Sequence, residues 1–289
     1  TQIDYPDTTT VRYAYNDVGL RTYQSNAVAE VWYGFDAMDR LSVVTQSVGA
    51  VQSVVHYAFD PNGNRTNIVY PGGASVGCAF DAADRLTQVA DWNIRVTTYT
   101  YDSLHRKTGV AYPSSATGTW NWDDASRLTR IQYHNGTSNF VDRVYSLDAH
   151  GNTTAMEINA GLLPTVSPMV KRLTQNAADE LTAIQTKANP GVQNWTEKTP
   201  AYDDAGNLTS DGDNAYGYDY ENRLVSVVSG SESAVYYYAG DGSRVAAVTV
   251  GSGSTNTTVF VLDHADPLRR PLAELDENGA LIRRFVWGR

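Results

Sequence analysis

The chain has 289 residues, 42% hydrophobic and 19% charged, with a formal net charge of −10 and one cysteine. That balance suits a folded chain and excludes a basic nucleic-acid face, an anionic membrane surface as partner, and a disulfide framework within the chain. No apolar run approaches the roughly 18 residues of a membrane-spanning helix, and Tyr, Val and Thr dominate the periodic segments, which favours strands.

In chain order, one phrase recurs. It opens loosely as YAYNDVGLR from Tyr13, then sharpens to YGFDAMDRL from Tyr33, YAFDPNGNR from Tyr57 and CAFDAADRL from Cys78. YTYDSLHRK from Tyr99 and WNWDDASRL from Trp120 follow, then the looser YSLDAHGNT from Tyr145 and LTQNAADEL from Leu173. PAYDDAGNL from Pro200, YGYDYENRL from Tyr216 and a loose YYYAGDGSR from Tyr236 complete the series. A phrase repeated along most of a chain builds a scaffold, because each copy buries its apolar face against its neighbours.

Each copy reads as strand, turn, strand. Two aromatics two residues apart share one strand face, as in Tyr33/Phe35, Tyr99/Tyr101, Trp120/Trp122 and Tyr216/Tyr218. The acid that follows can close an Asx-type turn on backbone N–H groups; these acids are Asp36, Asp60, Asp81, Asp102, Asp123, Asp148, Asp203 and Asp219. Three residues on stands a residue suited to positive φ, such as Gly63, Asp84, His105, Ser126, Gly151, Gly206 or Asn222. An arginine just past the turn (Arg40, Arg65, Arg85, Arg106, Arg127, Arg223) can reach the Asp or the aromatic ring of the next repeat. From Asp60 through Asp81 and Asp102 to Asp123 the acids are each 21 residues apart, room for two short strands and two turns. The second turns fall at Pro71–Gly73, Pro113–Ser115 and His134–Gly136, on the opposite edge, so the hairpins zigzag into one antiparallel sheet.

The spacing loosens at Met156–Met169 and Thr186–Thr199, where surface loops are expected. Ser229–Ser233 and Val250–Thr258 read as Gly/Ser/Thr-rich connections. The predicted fold is all-β throughout: consecutive antiparallel hairpins in a curved, spiralling sheet. It divides into a hairpin array over residues 1–250 and a terminal strand–turn–strand segment of the same array over 251–289. Thr1 and Arg289 fall in strand-like phrases, so the chain reads as an excerpt of a longer protein.

Candidate chemistry is sparse. The pairs Asp123–Asp124 and Asp203–Asp204 begin with the motif acid, so turn closure accounts for them. Asp211–Gly212–Asp213–Asn214 lacks the later bidentate Glu of a calcium loop. His56, His105, His134, His150 and His264 share no metal-ligand spacing. Asp263–His264 makes a poor relay if the pair lies on a strand, where adjacent residues face opposite ways. Cys78 fills an aromatic slot and reads as a buried thiol. No catalytic, cofactor-binding or metal residue is expected, and no cofactor.

The repeated YxYDxxGR/NL phrase resembles the YD repeat of bacterial RHS (rearrangement hotspot) and wall-associated proteins and of the teneurin extracellular region. The resemblance covers roughly Tyr13 to Arg244, and RPLAELDENGALIRRFVWGR from Arg270 looks like the segment near the close of such repeat regions. It implies a sheet of hairpins that curls into a hollow shell, enclosing a C-terminal toxic domain in RHS toxins and supporting adhesion in teneurins. The chain departs from the family at DHADPLRRPL, which keeps only Asp263–His264 of the usual Asp-His-Leu-Gly start. The expected partners are flanking repeats and an enclosed C-terminal domain of the same polypeptide, with the protein secreted or on a bacterial surface. The rival expectation is a surface module that binds carbohydrate or protein on exposed aromatic rings.

Overall fold

The computed structural model describes residues 1–136, 138–160, 170–188 and 194–287. Every regular element among the described residues is a β-strand, and within each sheet the strands pair in chain order. Fifteen strands from Gln2–Asp4 to Thr153–Ala160 form one sheet, and three from Val170–Gln175 to Thr196–Lys198 form a second. Nine strands from Ala201–Tyr202 to Leu281–Arg284 form the third. No sheet pairs its first strand with its last, so none closes on itself. The all-β hairpin array expected from the repeats is the fold, but the single sheet expected is, among the described residues, three.

Two compact units emerge, residues 1–55 with 166–285 and residues 56–165 with 286–289. The strand Arg244–Gly251 spans the boundary drawn from sequence at residue 250 and belongs to the third sheet on both sides of it. In the first unit, period-two alternation buries Ala29, Val31 and Tyr33 along Ala29–Phe35, and Val245, Val261, Leu272 and Ala273 are buried in the later hairpins. Side chains of the early hairpins cap backbone carbonyls of the later ones. The Tyr13 hydroxyl donates to Gly240 O at 2.5 Å, Asn26 Nδ2 to Tyr238 O at 2.8 Å and Gln46 Nε2 to Phe260 O at 2.9 Å. Gly240 has to be bare there, since a Cβ would lie 2.6 Å from Val11 Cγ1. In the second unit, Tyr57, Ile68, Tyr70, Val76, Val89 and Val110 form the core.

Four local expectations are corrected. The first is Ser229–Ser233, where one strand reaches Ser229 and the next begins at Glu232, so the connection shrinks to Gly230 and Ser231. Residues 156–160 are strand rather than loop, because alternating Met156 and Ile158 pair with Tyr145 and Arg143 of the preceding strand. Strands also occupy residues 186–187 and 196–198 of the second expected loop, while 161–169 and 189–193 lie outside the described residues. Val250–Thr258 is mostly strand: the connection shrinks to Ser252 and Gly253, both at positive φ (51° and 78°), as a two-residue turn between twisted strands requires.

Candidate functional site

The repeated turn is the most regular chemical feature of the molecule. At Asp102, the backbone N–H bonds the Arg106 carbonyl at 3.0 Å and the His105 N–H returns to the Asp102 carbonyl at 3.1 Å. His105 takes φ 65°. One carboxylate oxygen accepts from the N–H groups of Leu104 and Arg106, each at 2.9 Å; the other accepts from Arg106 Nε at 2.6 Å. This is a type I turn followed by a left-handed residue, and that left-handed residue lets the returning strand carry an extra one. The same closure stands at Asp36, Asp60, Asp81, Asp123, Asp148, Asp203 and Asp219. At Asp36, Asp81 and Asp123 the backbone N–H of the following arginine, and next its guanidinium, outweigh burial and hold the carboxyl below its ordinary range.

Arg85, Arg106, Arg127 and Arg223 each bond the carboxylate of their own turn rather than that of the next repeat, and Arg40 bonds the carboxylate of Asp36 in its own turn. The next repeat supplies a backbone carbonyl and a ring instead. Arg85 Nη1 donates to Asp102 O at 3.1 Å and Arg127 Nη1 to Asp148 O at 2.8 Å. The guanidinium carbons of Arg85 and Arg223 lie 5.0 Å from the Tyr101 centroid and 4.9 Å from the Tyr238 centroid. Arg65 departs from this pattern because Asn64 holds its turn's place four residues after the acid. Asn64 Nδ2 bonds Asp60 at 3.0 Å and reaches Asp84, the left-handed residue of the next turn, at 2.6 Å. Arg65 itself lies over the Tyr57 ring at 5.5 Å.

Two parts of the repeat escape the sequence reading. Asp91 closes the same turn on the opposite edge, with Arg95 Nε on its carboxylate at 2.7 Å. It lacks the aromatic pair in front, and its only signal is the acid-to-arginine spacing of four. The second is a hydroxyl six residues after the turn-closing residue: Ser42, Thr87, Thr129 and Thr154 follow an aspartate, and Thr182 follows Asn176. Each is the extra residue of a bulge, since the register skips it, and each donates across to a carbonyl at 3.1–3.2 Å.

The other sequence candidates are engaged in local structure. Asp211 closes a turn on the Asp213 and Asn214 N–H groups and accepts from the Tyr216 hydroxyl at 2.8 Å, while Asp213 pairs with Lys198. His134 Nε2 lies 2.6 Å from Thr117 Oγ1, and the His150 N–H donates to Asp148. Among the described residues no group of His, Cys, Asp and Glu could hold a metal ion. Cys78 is half-buried.

One polar cluster has no counterpart in the repeat. Asp263 and His264 are not on a strand; they lie in the loop between Ser254–Leu262 and Pro271–Leu275, and both are buried. The His264 ring meets Tyr33 edge-on, centroids 5.5 Å apart, with Nδ1 3.5 Å from the Tyr33 hydroxyl. Asp241, in the turn before Arg244–Gly251, sits 4.0 Å from Arg21 Nη2 and 3.8 Å from Arg269 Nη2. Burial, then the charge of Arg269, depresses the imidazole to about 4, against an opposing pull from Asp241. Burial pushes the Tyr33 phenol up.

Comparison with known proteins finds an RHS repeat in one part of the chain and the same fold in solved structures. Residues 80–117 match the family model described as RHS Repeat. No curated protein matches in sequence. The crystal structure of TcdB2-TccC3-Cdc42 superposes on 92% of this chain with a TM-score of 0.67 at 13% identity. TcdB2-TccC3 without its hypervariable C-terminal region gives 0.66 over 94%, also at 13% identity. A Tc holotoxin pore from Photorhabdus luminescens, with a substitution in TccC3, gives 0.64 over 95% at 12% identity. This chain spans 18%, 18% and 21% of those chains, about a fifth of their length. The resemblance to the RHS/YD-repeat family drawn from the repeated phrase therefore holds, and the fold is the one these structures share.

Proposed function

We propose that the chain is a length of wall in an RHS-type shell, a non-catalytic scaffold that encloses or displays a C-terminal domain of its own polypeptide in a secreted or surface protein. The observation that carries this reading is the chain-order pairing of hairpins within each sheet, with a recurring turn clipped by its acid and, at Arg85, Arg106, Arg127 and Asn64, tied onward to the next turn. The turn carboxylates are occupied by backbone N–H groups and guanidinium, which leaves them no acid–base work. In the parent polypeptide, limited proteolysis tests the idea. A domain that follows the repeats should resist cleavage until the repeat region is cut. Cleavage as fast as that of the isolated domain overturns the enclosure.

One observation favours a second reading, a surface that binds carbohydrate or protein. Tyr133 lies 6.4 Å from Tyr112 and 6.1 Å from Phe140 between ring centroids, and those flanking rings are 38% and 45% exposed. Quenching of Tyr and Trp fluorescence by soluble glycans, lost in Tyr112→Ala, would support binding there; no response to a panel of neutral and acidic glycans would remove the glycan form of this reading.

A further inference from the structure

The cluster around His264 joins parts of the chain more than two hundred residues apart. Arg21 heads the strand Arg21–Ser25 and Tyr33 lies on Ala29–Phe35. Facing them are Asp241 from the turn after Glu232–Tyr238, and His264 and Arg269 from the loop before Pro271–Leu275. The guanidinium of Arg21 also lies over Tyr13 and Tyr33, at 5.5 and 5.4 Å from their centroids. Arg269 donates to the His264 carbonyl. His264 is 6% exposed. The charges acting on the imidazole are those of Arg269, Asp241 and Arg21. On the same loop Asp263 and Asp266 are buried and Asp266 pairs with Arg270, so a proton on His264 adds a cation beside two guanidinium groups at a buried position. Such a charge is costly to bury unless a carboxylate pairs with it, and Asp241 already faces both arginines.

We propose that this cluster is an acid-sensitive clasp: protonation of His264 releases the early hairpins of residues 10–35 from the segment 239–269. The inference rests on the packing of this unit and not on the shell reading. The sign follows from linkage. An imidazole whose folded value lies below its unfolded one contributes stability that is full above about 6.5 and is lost as pH falls toward 4. The carboxyls of Asp36, Asp81 and Asp123 are held below their ordinary range, so the clasp opens before those turns lose their charge. Burial pushes the Tyr33 phenol up, so it stays protonated across this window, and a guanidinium does not deprotonate in proteins, so among His264, Tyr33, Arg21 and Arg269 the imidazole is the group that changes.

Hydrogen exchange of the intact chain between pH 8 and 4.5, corrected for intrinsic rates, tests this. Protection of amides in residues 10–35 and 239–269 should fall together, by about 80-fold at pH 4.5 from a shift between 6.5 and about 4. Amides of residues 96–133 should hold theirs, and His264→Gln should flatten the loss. A loss spread evenly over the chain, or an unchanged midpoint in His264→Gln, overturns the clasp. If that variant does not fold, the histidine resonances of the unaltered chain decide. A ring that stays neutral to pH 5 supports the proposal, and ordinary titration of all five near 6.5 removes it.

Discussion

Arg106 and Asp123 belong to successive hairpins, joined by a bond from Arg106 Nη1 to the Asp123 carbonyl at 3.1 Å while Nε stays on Asp102 at 2.6 Å. The rigid fork of a guanidinium can serve both acceptors at once, which a lysine ammonium on its flexible stem does poorly. Arg106→Lys should therefore melt clearly below the parent chain and close to Arg106→Ala. Arg95→Lys should melt nearer the parent, since the Arg95 side chain is more exposed and bonds within its own turn. Equal losses at the two sites in thermal melts would show that the onward bond contributes nothing.

Ile94 occupies the left-handed position of the Asp91 turn at φ 60° and is 83% exposed. A β-branched residue is strained there and gains little burial in return. Ile94→Gly should raise stability by about 1 kcal/mol, read from urea unfolding at constant slope.

The opposite substitution fails at Gly118. A Cβ there would lie 2.7 Å from the Tyr133 ring and 2.9 Å from Val110 Cγ1, in a buried strand position. Gly118→Ala should cost about 1–3 kcal/mol as the ring is displaced, with a change in the near-ultraviolet circular dichroism of the Tyr112–Tyr133–Trp120 group.

Gln24 is fully buried, and among the described residues neither amide atom has a hydrogen-bond partner. Leaving such groups unpaired costs about 1–3 kcal/mol. Gln24→Met keeps the length of the side chain and removes both polar atoms, so it should stabilise the chain by a similar amount. Destabilisation in chemical unfolding would refute the assignment.

The turn carboxylates set the acid limit. Asp36, Asp81 and Asp123 are held below the ordinary value, so their contribution is full above about pH 4 and is lost as pH falls through their folded values. Asp123→Asn should lower the melting temperature at pH 7 and flatten the acid limb below pH 4. An acid limb of unchanged steepness would assign that limb to other groups.

The aromatic pair, the acid and the left-handed residue were legible in the sequence because a turn is a local object: four or five residues fix its dihedrals and hydrogen bonds. The hydroxyl six residues on, at Thr87 or Thr129, was legible in principle. It escaped because it reports a bulge, visible only once two strands are placed in register. Asp91 escaped because its neighbour Trp92 follows the acid instead of preceding it. The pairing of Tyr33 with His264, and of Arg21 with Asp241, had no sequence signal. Those contacts depend on how distant hairpins pack, and the local phrase around Asp263–His264 suggested a strand where there is a loop.

In the turns at Asp36, Asp81, Asp102 and Asp123, the two residues after the acid lend the fold mainly backbone. Met38 and Leu104, second after Asp36 and Asp102, are 64% and 60% exposed. At Asp81, Asp102 and Asp123 such a pair recurs every 21 residues on one edge. Adjacent strands lie about 4.8 Å apart, so neighbouring pairs stand about 9.5 Å from each other. That edge is a ruler with blank graduations: dyes, charges or short peptides written onto them would be held at a fixed pitch without disturbing the rule itself.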